Sequence, residues 1–568
     1  MTPQEKNCSQ CKKAFPINSE DLKFYQKVNV PTPTFCPECR MIRRLMFRNE
    51  RSWHKTTCDA TGKSLLSMFA PEKNLTIYEL NYWKSDNWDP LIYGREYDFS
   101  KPFFSQFREL FKTIPHPNLV QKNNVGSDYS NYTLNQKNCY YCASSDGGED
   151  NCYTFTLMLR NRQCVDSHMC NDCERSYEAT DCSKSSGLRF CHQCDSCVDS
   201  WLLYDCRNCQ NCVGCVGLRG KSYCIFNEQY SKEEYKKKIK ELSLSSRQGL
   251  DATKILFEKL KLQVPRKFAA VLNSKNVIGD DIRNSQNVQG FTIKDDCQDV
   301  RYSYRVEKSR DIWDGFVVWG SSEMQYETMS CQSQRTYFSA LIWGGFDIQY
   351  SYNCFDCNNI FGCIGLRNKS YCILNKQYSK EEYESLLPKV IEQMYAIAYV
   401  DRHGIEYRYG EFFPTDLSPF AYNETINQDY FPLKKEEVIN QGFTWRDPDA
   451  RSHKVTMVAD SLPDSITDAP ETFVNEIIEC AHAGKECNEQ CAGAFKMIPL
   501  ELQYYRRWGV PLPRLCPSCR HFGRVKLKPQ LKMFEGVCKK CASQFHTPYP
   551  PNTNYTLYCE GCYNAEII

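Results

Sequence analysis

Thirty-five cysteines in 568 residues, many separated from the next by only two residues, constrain this chain more than any other feature. Met1-Thr-Pro-Gln-Glu-Lys-Asn-Cys8 has no apolar core of the kind an export signal needs. No apolar run approaches the roughly 18 residues that a membrane-spanning helix requires. The expected setting is therefore cytoplasmic and away from membranes, where so many thiols point to metal binding and not to a disulfide framework.

The pairs at the two ends have ligand spacing. Cys8-x2-Cys11 is followed by Cys36-x2-Cys39, and Cys487-x3-Cys491 by Cys516-x2-Cys519. A last cassette reads Cys538-x2-Cys541 and Cys559-x2-Cys562. Two thiolates on one tight turn bind one side of a tetrahedral Zn²⁺, and two such turns complete the set. Three structural zinc ions are expected. An offset of 480 carries Cys11, Cys36, Cys39 and Cys58 onto Cys491, Cys516, Cys519 and Cys538, but Thr61, Glu79 and Tyr82 onto Cys541, Cys559 and Cys562. Residues 58–82 thus read as a ribbon that has lost its metal, with Leu65, Leu66, Met68, Phe69, Leu75 and Ile77 packing in its place.

These motifs carry a resemblance. The Cys-Pro-x-Cys-Arg knuckles at 36–40 and 516–520 resemble a probable zinc-ribbon family of treble-clef-like type, and 538–562 resembles the CxxC-x17-CxxC domain. With Arg48-Asn-Glu50, Trp88-Asp-Pro90 and Gly365-Leu-Arg-Asn-Lys-Ser-Tyr371, the whole is similar to an uncharacterised bacterial zinc-ribbon family with a central Cys-rich repeat. The resemblance implies metal-binding ends and no particular activity.

The middle repeats every 12 residues: Val288, Val300, Ile312, Met324, Thr336, Ile348, Ile360 and Cys372, with Cys170, Cys182, Cys194 and Cys206 as an earlier ladder. Gly217-Leu-Arg-Gly-Lys-Ser-Tyr-Cys224 returns as Gly365-Leu-Arg-Asn-Lys-Ser-Tyr-Cys372, a duplication at offset 148. Large rings recur at twice the shorter period, at Tyr153, Tyr177 and Trp201 and again at Trp313, Tyr337 and Phe361. A 12-residue coil, about 40 Å around at 3.3 Å per residue, has no interior for an indole. The expected fold is therefore mainly β: two copies of a parallel β-helix, or solenoid, with coils of about 24 residues, flanked by zinc ribbons and by capping and linking helices. In order these are a ribbon (1–50), a degenerate ribbon (51–96), a helical linker (97–135), a first β copy (136–228) and a helical insertion (229–270). A second copy (271–378), a helix with an aromatic connector (379–470) and two ribbons (471–530 and 531–568) follow.

The ladder thiols read first as small core hydrophobes. Cys206-x2-Cys209-x2-Cys212-x2-Cys215 also resembles a ferredoxin run, but an extended strand would point thiols three apart to opposite faces. Gly62-Lys63-Ser64 and Gly220-Lys221-Ser222 lack the first glycine of a phosphate loop, and no hydrolase or dinucleotide motif is present.

Net charge is +2, unevenly spread. Residues 1–57 and 487–568 each carry 11 Lys and Arg against 5 Asp and Glu, and the middle carries 49 against 59. Arg40, Arg43, Arg44 and Arg48 follow one knuckle; Arg520 and Arg524 follow the other. Beside aromatic residues they are candidates for nucleic-acid contact. The functional expectation is a non-enzymatic scaffold or adaptor that binds a macromolecular partner, nucleic acid being one candidate, through its basic ribbons. The alternative is a β-helix enzyme, either redox with an iron–sulfur centre or carbohydrate-active, with Asp295, Asp296, Asp299 and Asp311 as its carboxylates. Oligomeric state and substrate stay open.

Overall fold

The computed structural model describes residues 2–156, 161–168, 189–294, 297, 301, 303–307, 312–313, 315–319, 326, 329–331, 333–448, 454–483, 487 and 490–567. Cys170, Tyr177, Cys182, Asp295, Asp296, Asp299, Val300, Asp311 and Met324 lie outside these residues. Among the described residues no helix is long and apolar enough to cross a membrane.

The large parallel β-helix with its long coils is overturned. Among the described residues the strands form many small sheets of two to six strands, none of which closes. Their parallel register advances by one short repeat at a time: Ser130 pairs Cys142, Arg189 pairs Trp201, and Ile348 pairs Ile360, which pairs Cys372. The physical reason lies in the backbone. From Asp205 to Phe226 every third residue has positive φ: Asp205, Asn208, Asn211, Gly214, Gly217, Gly220, Tyr223 and Phe226. The same triplet runs from Phe338 to Leu374. Asn, Asp and Gly hold many of these corners because they tolerate the left-handed region best. A corner at every third position brings the chain back into parallel register after four triplets.

The side chains gathered between these corners are thiols and branched aliphatics. Cys191, Cys194, Cys197, Leu203, Cys206, Cys209, Cys212, Cys215 and Cys224 form one buried cluster. Ile342, Ile348, Cys354, Cys357, Ile360, Cys363, Leu366 and Cys372 form its counterpart. The rings lie outside those clusters: Trp201 stacks with Phe190 of the neighbouring strand at 6.3 Å between centroids, and Trp313 with Phe24 of an N-terminal helix at 4.0 Å. The longer aromatic spacing therefore reported outer contacts, not the length of a turn.

The helices begin where their caps lie. Ser231 and Ser379 each close a capping box, with Glu234 and Glu382, on helices Lys232–Glu241 and Lys380–Ala396. A second helix, Arg247–Gln263, follows the first. Phe103–Thr113 buries Phe103, Phe104, Phe107, Leu110 and Phe111, and Pro102 serves as its N-cap. The aromatic stretch after Val400 is a series of short turns whose Tyr407, Phe412, Phe413 and Tyr422 sit in the largest core cluster.

Parts of each end reach the opposite copy. Helix Ser19–Lys27 docks on the second β copy, where Trp313 Nε1 donates to Asp21 Oδ1 at 3.1 Å. Helix Pro499–Trp508, its equivalent at offset 480, docks on the first copy, with Tyr505 Oη donating to Asp166 Oδ2 at 3.3 Å. Trp83 packs on Phe355 of the second copy, and its equivalent Tyr563 donates to Asp205 of the first.

Candidate metal centre

Four hairpins share one local design. Gln4–Asn7 pairs Ala14–Ile17, His54–Thr57 pairs Ser64–Ser67, Ile478–Glu479 pairs Ala494–Phe495, and Phe534–Val537 pairs Gln544–Thr547. In each, the cysteine that ends the first strand accepts a backbone N–H from the second half of the cassette. Cys8 Sγ accepts from Cys36 N at 3.2 Å, Cys58 Sγ from Glu79 N at 3.1 Å, Cys480 Sγ from Cys516 N at 3.2 Å and Cys538 Sγ from Cys559 N at 3.3 Å.

The Cys-Pro-x-Cys-Arg motif explains itself at the second knuckle. Cys36 and Cys516 are the N-caps of helices Pro37–Leu45 and Pro517–Val525, with Pro37 and Pro517 in the first turn. Proline fits there because its missing N–H has no helical partner to lose. Both thiols of the motif then lie at the first turn of a helix.

Three groups of four sulfurs result, each with its members within 4.8 Å of one another: Cys8, Cys11, Cys36 and Cys39; Cys480, Cys491, Cys516 and Cys519; and Cys538, Cys541, Cys559 and Cys562. Cys11 and Cys36 are 3.8 Å apart, Cys480 and Cys519 3.9 Å, Cys491 and Cys516 4.0 Å, and Cys541 and Cys559 3.6 Å. Thiolates about 2.3 Å from a tetrahedral ion stand about 3.8 Å from each other. These groups could each hold a metal ion. The Cys8 thiol is pulled far below its ordinary range, first by hydrogen bonding with Cys36, and that of Cys480 by Cys516. At Cys538, burial raises the thiol, but the amides of Cys559, Cys541 and Lys540 outweigh it and bring the pKa down to about 6.

The second group corrects one ligand. Spacing puts Cys487 in the tetrad, whereas the structure puts Cys480 there. Cys8 N donates to Lys13 O, five positions on, and Cys480 N donates to Gly493 O, thirteen positions on. An insertion of eight within the turn separates Cys480 from Cys491 and carries Cys487 with it. Cys487 lies instead with His482 and Cys519. The signal for Cys480 was present in the sequence: Ala494-Phe495 matches Ala14-Phe15, so a strand ending at Cys480 had to face it.

The fourth ribbon keeps the hairpin but not the donors. Among the described residues Cys58 belongs to no group of metal-ligating atoms. Glu79, at a ligand position, pairs with Lys63 at 3.1 Å. Met68, Phe69 and Ile77 are buried in the main core, with Leu65 and Leu75 packed against it.

The six candidate arginines are not a surface. Arg40, Arg43, Arg44, Arg48, Arg520 and Arg524 are all at most 5% exposed. Arg43 meets Glu411 at 3.0 Å, Arg48 meets Glu50 at 2.7 Å and stacks over Tyr132, and Arg520 and Arg524 converge on Asp166 at 2.8 and 3.1 Å. A buried charge has to be paired, and several of these pairs tie a knuckle helix to a distant segment. Phosphates cannot reach guanidinium groups so enclosed, and nucleic-acid contact through them is set aside.

No protein-family model, curated protein or solved structure matches this chain. The metal centres therefore rest on their own geometry.

The interior thiols of the repeat are a different population. Cys206 Sγ donates to the carbonyls of Tyr204 and Cys215, and Cys354 Sγ to those of Tyr352 and Cys363. Burial pushes Cys152, Cys354 and Cys363 well above the ordinary thiol range. Thiols three apart all face inward, because the left-handed corner between them resets the side-chain direction. They do not alternate faces, as thiols three apart on an extended strand would. Yet Cys212 of the ferredoxin-like run is Ile360 in the sister copy, and both are fully buried.

Proposed function

We propose that this chain is a zinc-binding, non-enzymatic scaffold, in which three structural ions fasten its ends onto the central repeat. The observation that carries this reading is the tetrahedral spacing of three four-sulfur groups, two of them opening helices whose arginines are buried against distant carboxylates. Zinc suits four thiolates in a closed site, and small ribbons of this kind depend on metal for folding. The proposed setting is a reducing, cytoplasmic one, in which thiolates stay free to bind metal. A macromolecular partner is part of the proposal. Its contact surface lies outside the six buried arginines; helix Lys232–Glu241, with Lys232, Lys236, Lys237 and Lys240 exposed, is a basic face available to it.

The replacement of Cys212 by Ile360, which leaves only three of the run's four thiols (Cys354, Cys357 and Cys363) in the sister copy, supports core packing for the repeat thiols and weighs against the iron–sulfur alternative. Metal analysis of natively purified, full-length protein tests the proposal. Zinc without iron, and loss of cooperative unfolding on chelation, are expected. Bound iron with visible absorbance would replace this reading with the redox one.

A further inference from the structure

The insertion that displaces Cys487 brings two extra donors to a knuckle already complete. Its first-cassette equivalent is the short turn Cys8-Ser9-Gln10-Cys11, which carries none. In the longer turn His482 Nδ1 lies 3.3 Å from Cys519 Sγ, and Cys487 Sγ lies 3.5 Å from the same sulfur. All three atoms lie within 4.8 Å of one another. Cys519 is also a member of the four-sulfur group, 3.9 Å from Cys480.

A thiolate sulfur has lone pairs enough to bind two ions at once. His482 supplies an imidazole nitrogen, and Cys487 supplies a second sulfur once its proton is released on binding. One nitrogen and two sulfurs at these separations suit a borderline or soft ion with tetrahedral preference. We propose that this cassette is a two-ion site: a closed tetrahedron of Cys480, Cys491, Cys516 and Cys519, and beside it a second zinc-class ion on His482, Cys487 and the bridging Cys519. This rests on the reading that the four-sulfur group binds metal. With three protein donors the second ion keeps its fourth position open to water or an external ligand, the arrangement found where metal is exchanged or reacts and not where it only holds a fold. The chain then carries three tightly held ions and one labile one.

The test uses full-length protein saturated with Zn²⁺, desalted, and analysed for metal before and after exposure to a weak competing chelator. Wild type is expected to hold four ions, of which three resist the chelator. His482→Ala and Cys487→Ser are each expected to hold three, all resistant. Titration with Co²⁺ gives a second readout, in which both variants lose the absorbance of the last equivalent alone. Saturation of wild type at three ions overturns the proposal, as does a fourth ion that persists in both variants. Two resistant ions in Cys487→Ser would make Cys487 a ligand of the tetrahedron itself, and would overturn it too. Failure of the underlying reading looks different: Cys480→Ser would then leave all three resistant ions in place.

Discussion

Arg520 Nη1 stands 2.8 Å from Asp166 Oδ2, although one residue belongs to the C-terminal knuckle helix and the other to the first β copy. Asp166 is fully buried, and its other oxygen meets Arg524 at 3.1 Å. Glu501, equivalent to Asp21 in the first cassette, completes the cluster at 2.8 Å from Arg520. Burial drives the Glu501 carboxyl upward, and Arg520 opposes that shift.

Removing one partner would strand the others. Asp166→Asn is expected to destabilise the protein by about 3–5 kcal/mol, because two guanidinium groups would stay buried with one carboxylate between them. Replacing Arg520 by Gln in the same chain should recover part of that loss. Denaturant midpoints of the single and double variants measure both effects, with metal content as the control for an intact knuckle.

The decayed ribbon gives a prediction about stoichiometry. Cys58→Ser should leave the metal content unchanged, because Cys58 joins no group of ligand atoms among the described residues and its hairpin is held by Met68, Phe69 and Ile77 in the core. Cys541→Ser removes one of four ligands at a complete group and should cost one ion. A site of this kind contributes on the order of 10–16 kcal/mol, so the last cassette should also become protease-sensitive.

Glycines at and beside the triplet corners separate tolerated from forbidden replacements, Gly220 being a corner and Gly345 the residue after one. Gly345 has φ of +101°, and a Cβ there would lie 1.9 Å from the Cys357 carbonyl oxygen on the adjacent strand. Gly345→Ala should cost about 2–4 kcal/mol, since neither backbone can move without breaking the ladder. Gly220 has φ of +62° with open space around it, and its sister residue is Asn368 at +51°. Gly220→Asn should fall within about 0.5 kcal/mol of wild type in thermal or denaturant unfolding.

His116 sets an acid limit. Burial lowers its pKa to about 4; Nε2 bonds to Phe111 O at 2.8 Å, and the ring packs against Phe69, Phe111 and Tyr352. A histidine depressed on folding stabilises the protein fully above about pH 6.5, and that contribution is lost as pH falls from there towards 4. The shift corresponds to roughly 3 kcal/mol at full extent. His116→Gln should flatten the slope of stability between pH 4 and 6.5 relative to wild type. Parallel slopes would mean that other groups govern acid unfolding.

Local chemistry made much of this molecule legible. The Cys-Pro-x-Cys turn, the capping boxes at Ser231 and Ser379 and the short period of the repeat each depend on nearby residues, where backbone sterics and hydrogen bonding leave few choices. Even the missing fourth cysteine group showed, as Thr61, Glu79 and Tyr82 standing where Cys541, Cys559 and Cys562 stand in the last cassette.

What only the tertiary structure decided are the relations that sequence distance does not constrain. Cys480 replaces Cys487 because a loop can lengthen while its ends stay paired, and spacing counts positions along the chain, not space. The arginines after each knuckle look like a basic surface until Glu411 and Asp166, far along the chain, are brought onto them. The parallel pairing steps by about 12 residues and not 24, because left-handed corners recur at every third position, which Tyr, Phe and Leu occupy as well as Asn and Gly. The docking of parts of each end on the opposite copy follows from side-chain fit across the folded core, such as Trp313 against Phe24, and no local rule could have selected it.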